Sequence, residues 1–493
     1  MKFILALVIS LSFHFLFSQN RSLKSDSEIV TTHSVNIKDT KIDYKAIVGT
    51  IPVWDNTGKE IAYVEFVYYQ RTNGTPTSER PILFSFNGGP GSGSVWMHLA
   101  YTGPRILKID DEGYPLQPYG YKENPYSVLD VTDIVYVNPV NTGYSRTIPL
   151  DGKEVDKTQF FGINADIKYL AEWMNTFVTR YNRWPSPKYI VGESYGGTRV
   201  MGLSLELQNS QWMYLNGVIM VSPADYKILR SGDPVSDALN YPYFTAAAWH
   251  HKVLPADLQS KTLEEILPEI EEFTINEVVP ALSKGGFLEE AKKKEIANKL
   301  ARYSGLSQED FLENNLSVTT SYFWKKLLKD KGFNIGRLDS RYLGIDKKQS
   351  GITPDYSAEL TSWLHSFTPA INHYYKEELK LNTDVKYNMF GPVNPWNNEN
   401  DNTRDNLRQA MAQNPYLKVL IQSGYYDGAT TYFAAKFTMW QVDPSGRMKD
   451  RFSFKGYKSG HMMYLRKEDL IKANDDLREF ISKSTTNGKP AKY

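Results

Sequence analysis

One stretch constrains this chain more than any other: Lys188-Tyr-Ile-Val-Gly192-Glu193-Ser194-Tyr195-Gly196-Gly197. An apolar, β-branched run leads into Gly-x-Ser-x-Gly, and Arg199-Val-Met-Gly-Leu203 continues in a helix-compatible pattern. A strand that turns this sharply into a helix needs residues without bulk two before and two after the serine, which Gly192 and Gly196 supply. The strain lifts the Ser194 hydroxyl above the sheet, and the helix that follows aims backbone N–H groups at the reacting centre. The same pattern also describes a glycine-rich turn with an incidental serine. Three other stretches separate the two readings.

The first is Phe86-Asn87-Gly88-Gly89-Pro90-Gly91-Ser92, which follows a strand-like run at 81–86. Glycines and a proline at a strand end turn the backbone and expose N–H groups. The Gly89 N–H and the N–H of Tyr195, the residue after the serine, are thereby nominated as the donors of an oxyanion hole. A phosphate loop would need a Gly-Lys-Ser/Thr tail, and none follows. The second is Leu417-Lys-Val-Leu-Ile-Gln422, which runs into Ser423-Gly424-Tyr425-Tyr426-Asp427-Gly428 and places Asp427 at a strand's C-terminal end. The third is Ser459-Gly460-His461-Met462, just after a strand-like 451–454. Among eight histidines, His461 is selected by chain order: serine elbow, then acid, then histidine. Alone, Asp427 reads as an Asp-Gly turn and His461 as a structural histidine. His98, behind the glycine loop, reads as a locally packed residue.

With these motifs in place the chain resembles the serine carboxypeptidases of the α/β-hydrolase fold. The resemblance rests on Asn87-Gly-Gly-Pro-Gly-Ser92, Asn124-Pro-Tyr-Ser127, Val137-Asn-Pro-Val-Asn-Thr-Gly-Tyr-Ser145, Gly192-Glu-Ser-Tyr-Gly-Gly197, Gly424-Tyr-Tyr-Asp427 and Gly460-His461, and spans roughly 45–225 and 385–480. Prolyl aminopeptidases share the Gly-Gly-Pro-Gly loop but lack the Glu-Ser-Tyr elbow. The resemblance implies Ser194, Asp427 and His461 as catalytic triad, and Asn87 and Glu193 as the residues that bind a substrate's C-terminal carboxylate. Glu193 can donate to a carboxylate only when protonated. The chain also departs from the family. Tyr101 stands where many members carry a second acid, Ser92 where many have a cysteine, Asn138 where an acid is common, and Tyr425 replaces another acid near Asp427.

The remaining pattern sets these motifs on one architecture. Strand-like segments at 41–53, 60–70, 81–86, 133–137, 188–191, 215–221 and 417–422 alternate with helical patterns such as 156–181. This predicts an α/β fold with a doubly wound, mostly parallel sheet. Asp55-Asn-Thr-Gly58 is a hairpin turn. Residues 19 to about 45 are polar and read as loosely ordered. The block 226–385 is charged and helix-rich, with patterns at 264–283, 287–302, 308–314, 321–331 and 358–381. It reads as a helical cap inserted between two parts of one hydrolase core, 19–225 and 386–493.

At the N-terminus one lysine, an apolar run over 3–17 and Ser18 describe a signal peptide over 1–18. The run is short for a span of ~20 residues, so no stable membrane insertion is expected after cleavage. The chain has no cysteine, which fits a bacterial periplasmic or secreted protein stabilised by core burial. Formal net charge is +1, which gives no reason to expect a nucleic-acid partner. No zincin spacing is present, and no metal or cofactor is implied. The expected function is an exported serine carboxypeptidase acting on peptides through an acyl-enzyme. An esterase or acyltransferase on the same triad, and a non-catalytic peptide-binding scaffold, are the alternatives.

Overall fold

The computed structural model describes residues 22–224, 233–398, 402–486, 488 and 490–493. The expected signal peptide lies outside them. Among the described residues no helix is long and apolar enough to cross a membrane.

Strands β1 (Ser27–Ile37), β2 (Thr40–Trp54), β3 (Glu60–Arg71), β4 (Ile82–Phe86), β5 (Asp133–Asn138), β6 (Lys188–Glu193), β7 (Gly217–Val221), β8 (Lys418–Gly424) and β9 (Phe452–Tyr457) form one sheet in the order β1-β2-β3-β5-β4-β6-β7-β8-β9, with Arg146–Thr147 added beside β3. The first three strands and β5 pair antiparallel; from β5 to β9 every neighbouring pair is parallel. Parallel strands read as unbroken apolar runs because both faces are covered. In β4, Leu83 joins one core while Ile82 and Phe84 join the other; in β6, Val191 and Ile190 divide the same way. Helices α1 (Ile163–Arg180) and α2 (Tyr195–Ser210) cover one face, and a helix near the C-terminus, Lys467–Ser484, covers the other.

Two expectations change. The N-terminal polar segment contains β1, an edge strand paired along its length with β2. Its Val35 and Ile37 are buried at period two, but the outer half of the strand carries Thr and His on the covered face, so little alternation shows in the sequence. The block expected as one insertion, 226–385, divides by packing. Helices α3 (Tyr241–His250), α4 (Leu263–Phe273) and α5 (Glu290–Ser304) build a third core together with Tyr426, Tyr432 and Phe433 from the segment after β8, and in it Phe244 and Phe323 stack at 3.9 Å. Helix α6 (Ala358–Glu377) does not join it: Trp363, Phe367, Ile371 and Tyr374 pack into the core on the sheet face. The Tyr374 hydroxyl meets that of Tyr69 on β3 at 2.6 Å.

Candidate active site

Strand register brings the sequence motifs to one edge. Phe86 lies opposite Gly192, Val221 opposite Glu193, and Gln422 opposite Val221, so the residues after β4, β6, β7 and β8 emerge side by side. In parallel sheets this carboxyl edge is where ligands are met.

Ser194 has φ +57° and ψ −123°, a conformation that L residues adopt only under constraint. The constraint is backbone: its N–H donates to the Val221 carbonyl (2.9 Å), and its carbonyl accepts from Gly197 (2.8 Å) and Ala224 (3.0 Å). A methyl on Gly192 would collide with the Gly196 carbonyl oxygen, so the elbow closes only with glycine there. The glycine loop lies against the same turn. A methyl on Gly88 would stand 2.6 Å from the Tyr195 nitrogen. That contact sets the loop and the start of α2 against each other, as a two-donor oxyanion hole requires.

Asp427 and His461 meet at 2.7 Å, Oδ2 to Nδ1. The carboxylate is fully buried, and its other oxygen accepts the N–H groups of Ala429 (2.8 Å) and Thr430 (3.1 Å). With Nδ1–H donating to Asp427, Nε2 is left as the proton acceptor. Burial lowers the imidazole pKa, but the charge and hydrogen bond of Asp427, aided by Glu193, outweigh it and hold the pKa above its ordinary value. Cation character is thus stabilised where a general base needs it.

Glu193 is buried, and it accepts hydrogen bonds from the Asn87 amide and from the Tyr464 hydroxyl (2.6 Å). Burial pushes its carboxyl up to about 7, against the pull of His461, Tyr464 and Asn87. Tyr464 is a site residue that sequence reading missed. Its signal was only its place three residues after His461. Tyr101, expected to stand in for a second acid, sends its hydroxyl to Gln422 (2.7 Å) and stacks on the Tyr464 ring at 5.0 Å. The supporting group is therefore Tyr464, with Tyr101 behind it. The position of Asn138 is also explained: its amide donates to a second buried acid, Glu65, at 2.6 Å, and burial raises that carboxyl to about 7. His98 packs as expected, stacked on Tyr136 at 4.2 Å and hydrogen-bonded to Tyr69.

A buried ion pair beneath the elbow was also missed. Arg199 on α2 pairs with Asp166 on α1 at 2.7 Å, and its guanidinium donates to the Asn87 carbonyl at 2.6 Å. Tyr195 donates to the same Asp166 at 3.0 Å. The glycine loop is thus anchored to α1 and α2 from behind. An arginine five residues after the serine, within the buried first half of its helix, was the available sign.

Ser194, Gly89 and His461 line one cavity of about 400 Å³. The helical segment contributes Asp237, Asn240, Arg337 and Leu338 to its wall. Asn87 and Glu193 lie behind the serine, hydrogen-bonded to one another.

A mostly parallel sheet with helices on both faces and a strained serine at its carboxyl edge defines an α/β hydrolase. The model of the serine carboxypeptidase family, peptidase family S10, matches residues 38–455, and the chain belongs to that family. It is 26% identical to serine carboxypeptidase-like 36 of Arabidopsis thaliana over 216 residues, which are 43% of this chain and 41% of that protein. It is 28% identical to serine carboxypeptidase-like 13 of the same plant over 214 residues, 42% of this chain and 45% of the relative. Each match thus spans less than half of the relative's length. Among solved structures, a prohormone-processing carboxypeptidase from Saccharomyces cerevisiae, Kex1ΔP, shares the fold with a TM-score of 0.51 at 15% identity, covering 89% of this chain and 91% of that one.

Proposed function

We propose that this chain is an exported serine carboxypeptidase that releases C-terminal residues from peptides. Ser194 attacks the terminal peptide carbonyl, and His461 takes its proton and later gives it to the leaving amine. Asp427 orients the imidazole and stabilises its charged form. The Gly89 and Tyr195 N–H groups hold the oxyanion. Asn87 and protonated Glu193 bind the substrate's carboxylate, a role that a carboxyl raised by burial to about 7 can fill in its neutral form. The observation that carries the reading is the 2.7 Å bond between buried Asp427 and His461, which lines the same cavity as Ser194.

The helical segment that begins near residue 226 acts as a cap that admits peptide ends. Residues 1–18 act as a cleaved signal, giving a periplasmic or secreted bacterial enzyme. N-terminal sequencing of the exported protein checks the signal. Mass spectrometry of products from a mixed peptide library checks the activity: single-residue trimming from the C-terminus is expected, and trimming should stop when the terminus is amidated. Internal cuts, or equal turnover of amides and esters, would replace this reading with an endopeptidase or an esterase. A fluorophosphonate probe that leaves Ser194 unlabelled in folded protein would reduce the site to a scaffold.

A further inference from the structure

The cavity that holds Ser194 and His461 also holds a cation that the triad does not use. Arg337 is exposed on its wall. Its backbone is fixed: its carbonyl accepts from Gly428 (3.0 Å), and the next residue, Leu338, accepts the His461 N–H (2.6 Å) and donates to Glu359 (2.8 Å). The charge stands near enough to the imidazole to oppose its protonation. Among the described residues the guanidinium has no ion-pair or hydrogen-bond partner. Other arginines of the fold are engaged: Arg80 and Arg183 with Asp133, Arg199 with Asp166, Arg341 with Asp339. Among the described residues, the other charged wall residue of the cavity outside the triad is Asp237. Ser317 donates to its carboxyl, and burial raises its pKa.

An unpaired guanidinium carried on a fixed backbone into a half-enclosed cavity is a carboxylate receptor, because its fork matches both oxygens. Its place beside His461 says which part of a substrate it meets. The imidazole hands its proton to the leaving amine, so groups beside it face the residue being released. We infer that Arg337 selects peptides whose C-terminal residue is aspartate or glutamate, by pairing with that residue's side chain. The inference rests on the carboxypeptidase reading and names the substrate class of that site.

The test compares blocked dipeptides ending in Glu, Gln, Leu and Lys, on the full-length enzyme and on Arg337→Gln, Arg337→Lys and Arg337→Glu. Wild type should favour Glu over Gln by about two- to five-fold in kcat/KM. The preference should shrink in 0.5 M salt, where such pairs are screened. Arg337→Gln should abolish the Glu-over-Gln ratio, Arg337→Lys should keep part of it, and Arg337→Glu should turn the preference toward Lys. Comparing ratios on one enzyme form separates selectivity from any loss of folded protein. A wild type indifferent between Glu and Gln, or a ratio untouched by charge reversal, overturns the inference while Leu release keeps the carboxypeptidase reading. Equal losses on Glu and Leu substrates would assign Arg337 to the terminal carboxylate and overturn it as well. No release from any dipeptide overturns both.

Discussion

The serine and the histidine of this site are held by different kinds of structure. Ser194 is fixed by its own neighbourhood: backbone bonds to Val221, Gly197 and Ala224, with Arg199 and Asp166 bracing the glycine loop from behind. His461 is fixed from a distance. Its N–H goes to Leu338, the preceding Gly460 N–H goes to Asp339 (3.2 Å), and Asp339 is itself held by Arg341 (2.7 Å). Its carbonyl accepts the Ser222 hydroxyl at 2.8 Å. One half of the site therefore belongs to the sheet. The other half depends on a segment that arrives from the far end of the helical block. The serine end should tolerate changes in that block, and the histidine end should not.

The largest effect should show the two halves acting as one unit. Ser194→Ala and His461→Ala should each lower kcat by about 10⁴-fold or more, and the double variant should be little worse than either. Losses that multiply would mean that the halves work independently, and the triad assignment would fall.

The next effect belongs to the serine half and is one of stability. Asp166→Ala leaves Arg199 buried without its carboxylate, which should cost about 3–5 kcal/mol in urea unfolding. Replacing both residues with apolar ones of similar volume should recover much of that loss. Little change in the single variant would show that water reaches the pair.

A smaller effect belongs to the histidine half and is one of rate. Asp339→Ala removes the acceptor of the Gly460 N–H and the partner of Arg341. It should lower kcat by roughly 10–100-fold through a misplaced imidazole, with KM less affected. Slower fluorophosphonate labelling of Ser194 should accompany it. If Asp339→Ala costs only stability, and Asp166→Ala only rate, the contrast between the halves is reversed.

The same contrast decides what could be read in the sequence. The sheet half was legible because its constraints are local. Apolar runs mark β4, β6, β7 and β8, and the elbow glycines are required by close backbone approach within five residues. Asp427 and His461 were accessible through chain order. The supports of the histidine were not, because Leu338 and Asp339 reach it across more than a hundred residues and carry no motif. Tyr464 and Arg199 look like ordinary tyrosine and arginine until the strands are set in register. Helix α3 shows the same limit in the fold: Tyr-Pro-Tyr-Phe-Thr-Ala-Ala-Ala is buried almost all round, so it has no polar face to give a period.

The smallest effect joins the two halves, through one proton. Glu193 belongs to the sheet half and titrates at about 7 in the folded protein; His461 belongs to the other half and titrates above its ordinary 6.5. Each group's charge acts on the other: ionised Glu193 favours the imidazolium, and the imidazolium favours ionised Glu193. The form that can bind a carboxylate and also accept the serine proton has Glu193 neutral and His461 neutral. Below the His461 pKa the base is protonated and the rate falls; above the Glu193 pKa the carboxylate repels the substrate's terminus and the rate falls again. Peptide kcat/KM should therefore be bell-shaped with its maximum near neutrality, its two limbs belonging to the coupled pair. Glu193→Gln keeps a donor at every pH, so the alkaline limb should vanish. It also removes a negative charge beside the imidazole, so the acid limb should move to lower pH. Amide-capped peptides lack the terminal carboxylate, and any residual turnover of them should lack the alkaline limb even in wild type. The measurement is four profiles, two substrates on two enzyme forms. If both substrates decline alike at high pH and Glu193→Gln moves neither limb, Glu193 only braces Asn87 and Tyr464. The serine half would then hold no substrate group of its own beyond the oxyanion.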